Sequence, residues 1–137
     1  MAETIQVVEY FYTEAPDKPG EAARALAQLK EAGVNLLAFS GFPKGRRSQL
    51  DFIPADPAAF KAAAKKNKWK LVGPTKGFLV QGEDRVGAMA ELLAKLAGAK
   101  INVTATDAVC AGAYRYGVIL WVKPRDVKRA AKAFGIA

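Results

Sequence analysis

Asp17-Lys18-Pro19-Gly20, with Asn35 fifteen residues beyond its glycine, recurs as Asp84-Arg85-Val86-Gly87 with Asn102. The offset is 67 at the aspartate, at the last glycine and at the asparagine. Each copy reads as a strand end, a tight turn, an amphipathic helix, and a strand that opens on an apolar residue and asparagine. A turn that runs into a helix N-terminus offers free backbone N–H groups and the positive end of the macrodipole. An asparagine opposite it offers a donor and an acceptor. Together they suit a small zwitterion.

Outward from these turns the repeat continues. Ile5–Thr13 is rich in β-branched and aromatic residues and reads as a strand. Pro19 suits a helix entry, and Ala22, Leu26 and Leu29 recur at helical spacing up to a C-terminal glycine, Gly33. Strands are expected over 34–39 and 49–53, a helix from Asp56-Pro57, and a fourth strand over 68–72, closed by Gly73-Pro74. The second half repeats the order. A strand over 76–81 leads to a helix over 86–97 with Met89, Leu93 and Leu96 on one stripe. Strands over 100–110 and 114–122 follow, then a helix from Pro124 with Val127, Ala130, Ala131 and Phe134 inward.

Residues 11–70 laid on 78–137 without a gap match at aspartate, glycine, asparagine and proline positions that fall on turns and caps, where residue type is physically demanding. The chain is thus an internal duplication of a β-α-β-β-α-β pattern, with units over 1–74 and 75–137. The fold class expected is α+β, two ferredoxin-like units with antiparallel sheets and helices on one face. The second unit ends after its second helix without a last strand, which leaves a sheet edge open or covered by another segment.

The totals exclude several classes. There is no histidine and one cysteine, Cys110, so the usual catalytic triads, an internal disulfide and multi-cysteine metal cages fall away. No carboxylates or lysines pair at a catalytic spacing; an enzyme is not expected, nor a cofactor. Cys110 reads as a small buried hydrophobe. With no apolar run near the ~20 residues of a membrane helix and no signal pattern, a cytoplasmic protein is expected, without membrane contact. A net charge of +8 raises nucleic acid as a partner. The charges, however, gather on the second helices, at Lys61, Lys65, Lys66, Lys68 and Lys70 and at Arg125, Lys128, Arg129 and Lys132, off the apolar stripes, and read as a solvated face. Lys76-Gly77-Phe78-Leu79-Val80 is similar to half of an RNA-recognition strand, but it stands in the first strand of its unit with no second motif.

Strand, D-x-P-G, helix, G-V-N-φ, strand, loop, strand, helix resembles the ACT domain, a small ferredoxin-like module that binds amino acids and regulates amino-acid metabolism. Both copies together cover nearly the whole chain, as in stand-alone tandem ACT proteins. The resemblance implies a free amino acid bound where two such units meet, near the turn and the asparagine. It carries that role to Asp17, Lys18, Pro19, Gly20, Asn35 and Leu36, and to Asp84, Arg85, Gly87 and Asn102. The second copy departs from the pattern, with Val86 for the proline and Lys100 for Gly33. A regulatory subunit docked on an amino-acid biosynthetic enzyme and an RNA-binding module are the alternatives. Leu37, Phe39, Ile53, Ile119 and Trp121, read as one wet apolar sheet face, lead to the expectation of a homodimer.

Overall fold

The computed structural model describes residues 3–136. The chain divides into two compact units, Glu9–Thr75 and the chain up to Val8 joined with that from Lys76. The first contains most of β1 (Thr4–Pro16), then α1 (Glu21–Glu31), β2 (Leu36–Lys44), β3 (Arg47–Pro54), α2 (Pro57–Lys66) and the opening residues of β4 (Val72–Glu83). The second contains the opening of β1, most of β4, α3 (Ala88–Gly98), β5 (Ala105–Cys110), β6 (Arg115–Trp121) and α4 (Val127–Phe134), which a 3-10 turn over Pro124–Asp126 introduces. Residues 3–8 therefore pack with the second unit, apart from the 1–74 grouping read from the sequence.

In the first unit the strands lie in the order β2-β3-β1, and the opening of β4 flanks β1. Gly73 comes so near that a β-carbon there would stand 2.9 Å from the Tyr10 carbonyl oxygen, which only glycine avoids. Gly73-Pro74, read as the close of a unit, thus lies inside β4, and the fourth strand expected at 68–72 begins only at Val72. In the second unit the order is β5-β6-β4, and the opening of β1 takes the place of the missing last strand. The Thr4 hydroxyl donates to the Gln81 carbonyl at 3.5 Å, and the Tyr116 hydroxyl donates to the Glu3 carboxylate. The sheet edge is covered by another segment, as one of the two sequence alternatives has it.

α1 and α3 coincide under the offset of 67 at both ends. All four helices close alike. In each, an amide donates back to the carbonyl five residues earlier at 2.9–3.0 Å (Val34 to Leu29, Trp69 to Ala64, Ile101 to Leu96, Ile136 to Ala131), and the residue just before the donor is left-handed. That residue is Gly33 or Gly135 in two helices and Lys68 (φ 59) or Lys100 (φ 58) in the others. Lysine at 100 thus keeps the backbone of Gly33. Asp56 caps α2 as expected, its Oδ1 accepting from the Ala58 and Ala59 amides at 3.1 and 3.3 Å.

Each helix layer meets one sheet face. Phe11, Leu29, Leu50, Phe52 and Phe60 form the first core, with the Phe52 and Phe60 rings 5.2 Å apart. Phe78, Val80, Leu92, Leu96, Val118, Leu120 and Phe134 dominate the second, and on α3 the buried stripe runs through Ala88, Leu92 and Leu96, with Met89 and Leu93 only half-buried. Full burial of such side chains is worth ~1.5–3 kcal/mol each. The strand registers differ by one residue. Phe11 faces Phe52, whereas Phe78 faces Leu120, so β6 follows β3 by 68, not 67. The extra residue sits in the hairpin, since Lys44 pairs Arg47 but Cys110 pairs Tyr116.

That register corrects the apolar face read from the sequence. Phe39 faces Phe52 and packs on it at 5.3 Å, so it belongs to the helix side. Ile53, Ile119 and Trp121 are 2, 8 and 7 % exposed within a single chain and need no second copy to cover them.

Candidate ligand sites

The turn of the first copy is exposed over residues 16–20. Pro16 ends β1, its carbonyl accepts the Lys18 amide at 3.0 Å, and Gly20 stands at the N-cap of α1 with φ 90 and no side-chain capping bond. Asp17 does not cap the helix; its Oδ1 accepts the Ser48 hydroxyl at 3.1 Å. Pro19 leads into Gly20, and space beyond Gly20 is open, so glycine is required there by the left-handed backbone alone. The Glu21 amide donates to the Lys18 carbonyl at 3.5 Å, and the next amides of the first turn of α1 are left to solvent or ligand.

Asn35 lies at the other end of α1. Its side chain is exposed, its carbonyl accepts the Ala55 amide at 2.9 Å, and it borders a shallow depression of about 480 Å³ with Leu26, Lys30, Gly33 and the half-buried Leu36. Eleven helical residues separate turn from asparagine, about 16 Å at 1.5 Å per residue. One small amino acid cannot touch both within a unit.

The second copy repeats this division. Gly87 caps α3 at φ 82 with no side-chain bond. Asp84, Arg85 and Gly87 share a cavity of about 270 Å³ with Met89, Val109, Cys110 and Tyr116, while Asn102 is exposed elsewhere and outside it. The Asp84 amide donates to the Tyr114 carbonyl at 2.7 Å, and Arg85 is held by Glu91. Cys110 is exposed, against the buried reading, because β5 is an edge strand open on both faces. Its thiol, hydrogen-bonded to the Asp84 carboxylate, is held above its ordinary range.

A third cavity, of about 300 Å³, was not foreseen. It opens on the helix face of the first unit between α1 and the connection over residues 67–70, with Thr13, Ala15 and Leu50 at its base. Thr13, 7 % exposed, donates to the Lys70 carbonyl at 2.9 Å, and the Trp69 indole N–H donates to Gln28 Oε1 at 2.7 Å. The available signal was a mismatch between copies: at the offset of 67, Thr13 corresponds to Val80 and Asn67 to Phe134. In the second unit those two side chains fill the same place with core.

The basic helix faces are solvent-exposed. Phe78 is wholly buried and Val80 with it, so the strand that is similar to an RNA-recognition motif has no ring to stack on a base. Among the described residues no helix is long and apolar enough to cross a membrane.

The sequence matches no protein-family model and no curated protein. Solved structures do match it. Protein BT0572 from Bacteroides thetaiotaomicron aligns at a TM-score of 0.80 with 18 % identity, over 96 % of this chain and 90 % of that one. The regulatory subunit of aspartate kinase from Thermus thermophilus aligns at 0.68 with 15 % identity, over 98 and 96 % of the two chains. That from Thermus flavus aligns at 0.61 with 18 % identity, over 98 and 95 %. At such identities the likeness speaks for architecture: the fold is the α+β arrangement of two ACT-type βαββαβ units.

Proposed function

We propose that the protein is a non-catalytic regulator of amino-acid metabolism that senses a free amino acid. The observation that carries this reading is the pair of junctions at Gly20 and Gly87. Both are left-handed, neither has a side-chain cap, and both leave helix N-terminal amides for a ligand carboxylate. Two of the structures that share the fold are regulatory subunits of aspartate kinase, which supports a regulatory role and makes a biosynthetic enzyme the natural docking partner.

The length of α1 adds a requirement. A ligand that uses the Gly20 amide and the first-turn amides beyond Glu21, together with an Asn35 side chain, has to draw them from different copies, since the Lys18 amide is held by Pro16 and Pro19 has none. In a homodimer with the two α1 helices antiparallel, the turn of one copy lies beside the partner's Asn35. The amide carbonyl there accepts from the ammonium group, and Asp17 adds negative charge.

A thermal-shift panel of the twenty amino acids identifies the ligand, and calorimetry on Asn35→Ala tests the site. Loss of a hydrogen bond to a charged group costs about 1.5–3 kcal/mol, or roughly 10–150-fold in affinity. A mixture of Asn35→Ala with a Gly20→Val variant regains one intact site per mixed dimer if the two halves come from different copies. Wild-type affinity in folded Asn35→Ala, or no response to any amino acid, overturns the reading.

A further inference from the structure

The cleft on the helix face of the first unit has a charge pattern of its own. Four cations line it, Arg24, Arg47, Lys68 and Lys70, against two carboxylates, Glu14 and Glu21. The carboxylates are already matched, Glu21 by Arg24 at 2.9 Å and Glu14 by Arg47 at 3.5 Å and Lys44 at 3.3 Å. An excess of two positive charges remains within the lining, contributed by Lys68 and Lys70.

We infer that this cleft binds a small dicarboxylate. The unmatched Lys68 and Lys70 come from the connection after α2, while Arg24 on α1 and Arg47 on β3 line the same space with their exposed ion pairs, so positive charge is spread over three elements rather than gathered on one. Two anionic groups held apart fit that spread better than a single compact anion. Ala25 and Trp69 add apolar surface to a largely polar lining, which leaves room for a short methylene chain. The volume of about 300 Å³ admits such a molecule.

Lys68 occupies a left-handed position, φ 59, where its counterpart in the second unit is Gly135, φ 80. Lysine there costs conformational energy that glycine does not, yet it sets a cation at the cleft. In the second unit the matching positions, Val80 and Phe134, are buried core. The inference does not use Asp17, Gly20 or Asn35, none of which lines the cleft, although Pro16 and Glu21 beside the turn do.

Calorimetry of the full chain with succinate and glutarate at fixed ionic strength tests it, with inorganic phosphate as the compact anion. Saturable binding of a dicarboxylate is expected, weakened about tenfold or more in Lys70→Ala and in Lys68→Gly, the loss of a charge-assisted contact in each. Lys68→Gly relieves the left-handed lysine, so weaker binding in that variant reports the missing charge and not unfolding. Lys132→Ala, on the exposed face of α4, is expected to bind as wild type. Three results overturn the inference: no dicarboxylate binding at millimolar concentration, phosphate binding alone, or equal loss in Lys132→Ala.

Discussion

The two units place the same helices over the same sheet face and differ in what lies between. Between α1 and the connection after α2 the first unit sets Asn67, Trp69 and Thr13 around an open polar cleft, while the second buries Phe134 and Val80 in its core. Asn67 spends its side-chain amide on the Ala63 carbonyl at 2.9 Å, whereas Phe134 packs edge-on against Phe78 at 5.2 Å. A duplicated framework can thus surrender apolar burial in one copy and keep it in the other. The surrendered place is where a ligand can enter.

That contrast can be broken most severely at Phe134. Phe134→Ala removes a side chain 7 % exposed from the second core, and a loss of about 3–5 kcal/mol is expected in denaturant unfolding. Asn67→Ala, at the matching position, should cost only about 1 kcal/mol, the worth of one hydrogen bond. Equal losses would mean that the first unit is as tightly built as the second.

Tyr116 sharpens the contrast by pH. Burial, aided by the hydrogen bond to Glu3, pushes its hydroxyl from an ordinary 10.0 up to about 12, against the opposing charges of Arg85 and Arg115. The folded chain then keeps a proton that the unfolded chain releases. The associated stability is complete below pH 10 and is lost as pH rises through 12, a fall of about 2–3 kcal/mol. Urea unfolding from pH 9 to pH 12 should show that fall, and Tyr116→Phe should flatten it. The first unit has Ser48 at the matching register position and adds nothing there.

The smallest effect concerns the helix ends. Lys68→Gly and Lys100→Gly should each raise stability by about 1 kcal/mol, by placing glycine at left-handed positions where Gly33 and Gly135 already stand. A melting temperature unchanged in both would show that the lysines are compensated by contacts of their own.

Much of this architecture was legible in the residues. Turns and caps are local, and their chemistry is narrow, so Gly20 with Gly87 and Asp56-Pro57 located three helix starts. The offset of 67 relates the observed α1 and α3 at both ends, although periodicity had put the second helix at 86–97, two residues early at its start. Strand pairing was less legible. The insertion between Cys110 and Tyr116 shifts β6 by one residue, and a shift of one turns every side chain to the opposite face. Nothing local marks that. The use of residues 4–8 beside β4 depends on a pairing across more than seventy residues, which periodicity cannot report. Of the candidate site, the turns were visible, but their distance from Asn35 and Asn102 follows from helix length. The cleft joins Thr13, Gln28, Arg47 and Trp69 from four parts of the chain, and only the mismatch between copies hinted at it.

The lending of strand ends has a consequence for synthesis. A ribosome that has made and released residues 9–75 has released a whole first unit, its flanking strand included. Residues 4–8, made earlier, cannot settle until β4 emerges, and the edge they cover belongs to a unit still being translated. For that interval the nascent chain carries an unpaired strand beside a finished fold, a state open to wrong partners. A gene cut between Thr75 and Lys76 would make the condition permanent: the downstream product would lack its flanking strand, and the upstream product would carry a strand end with nothing to cover.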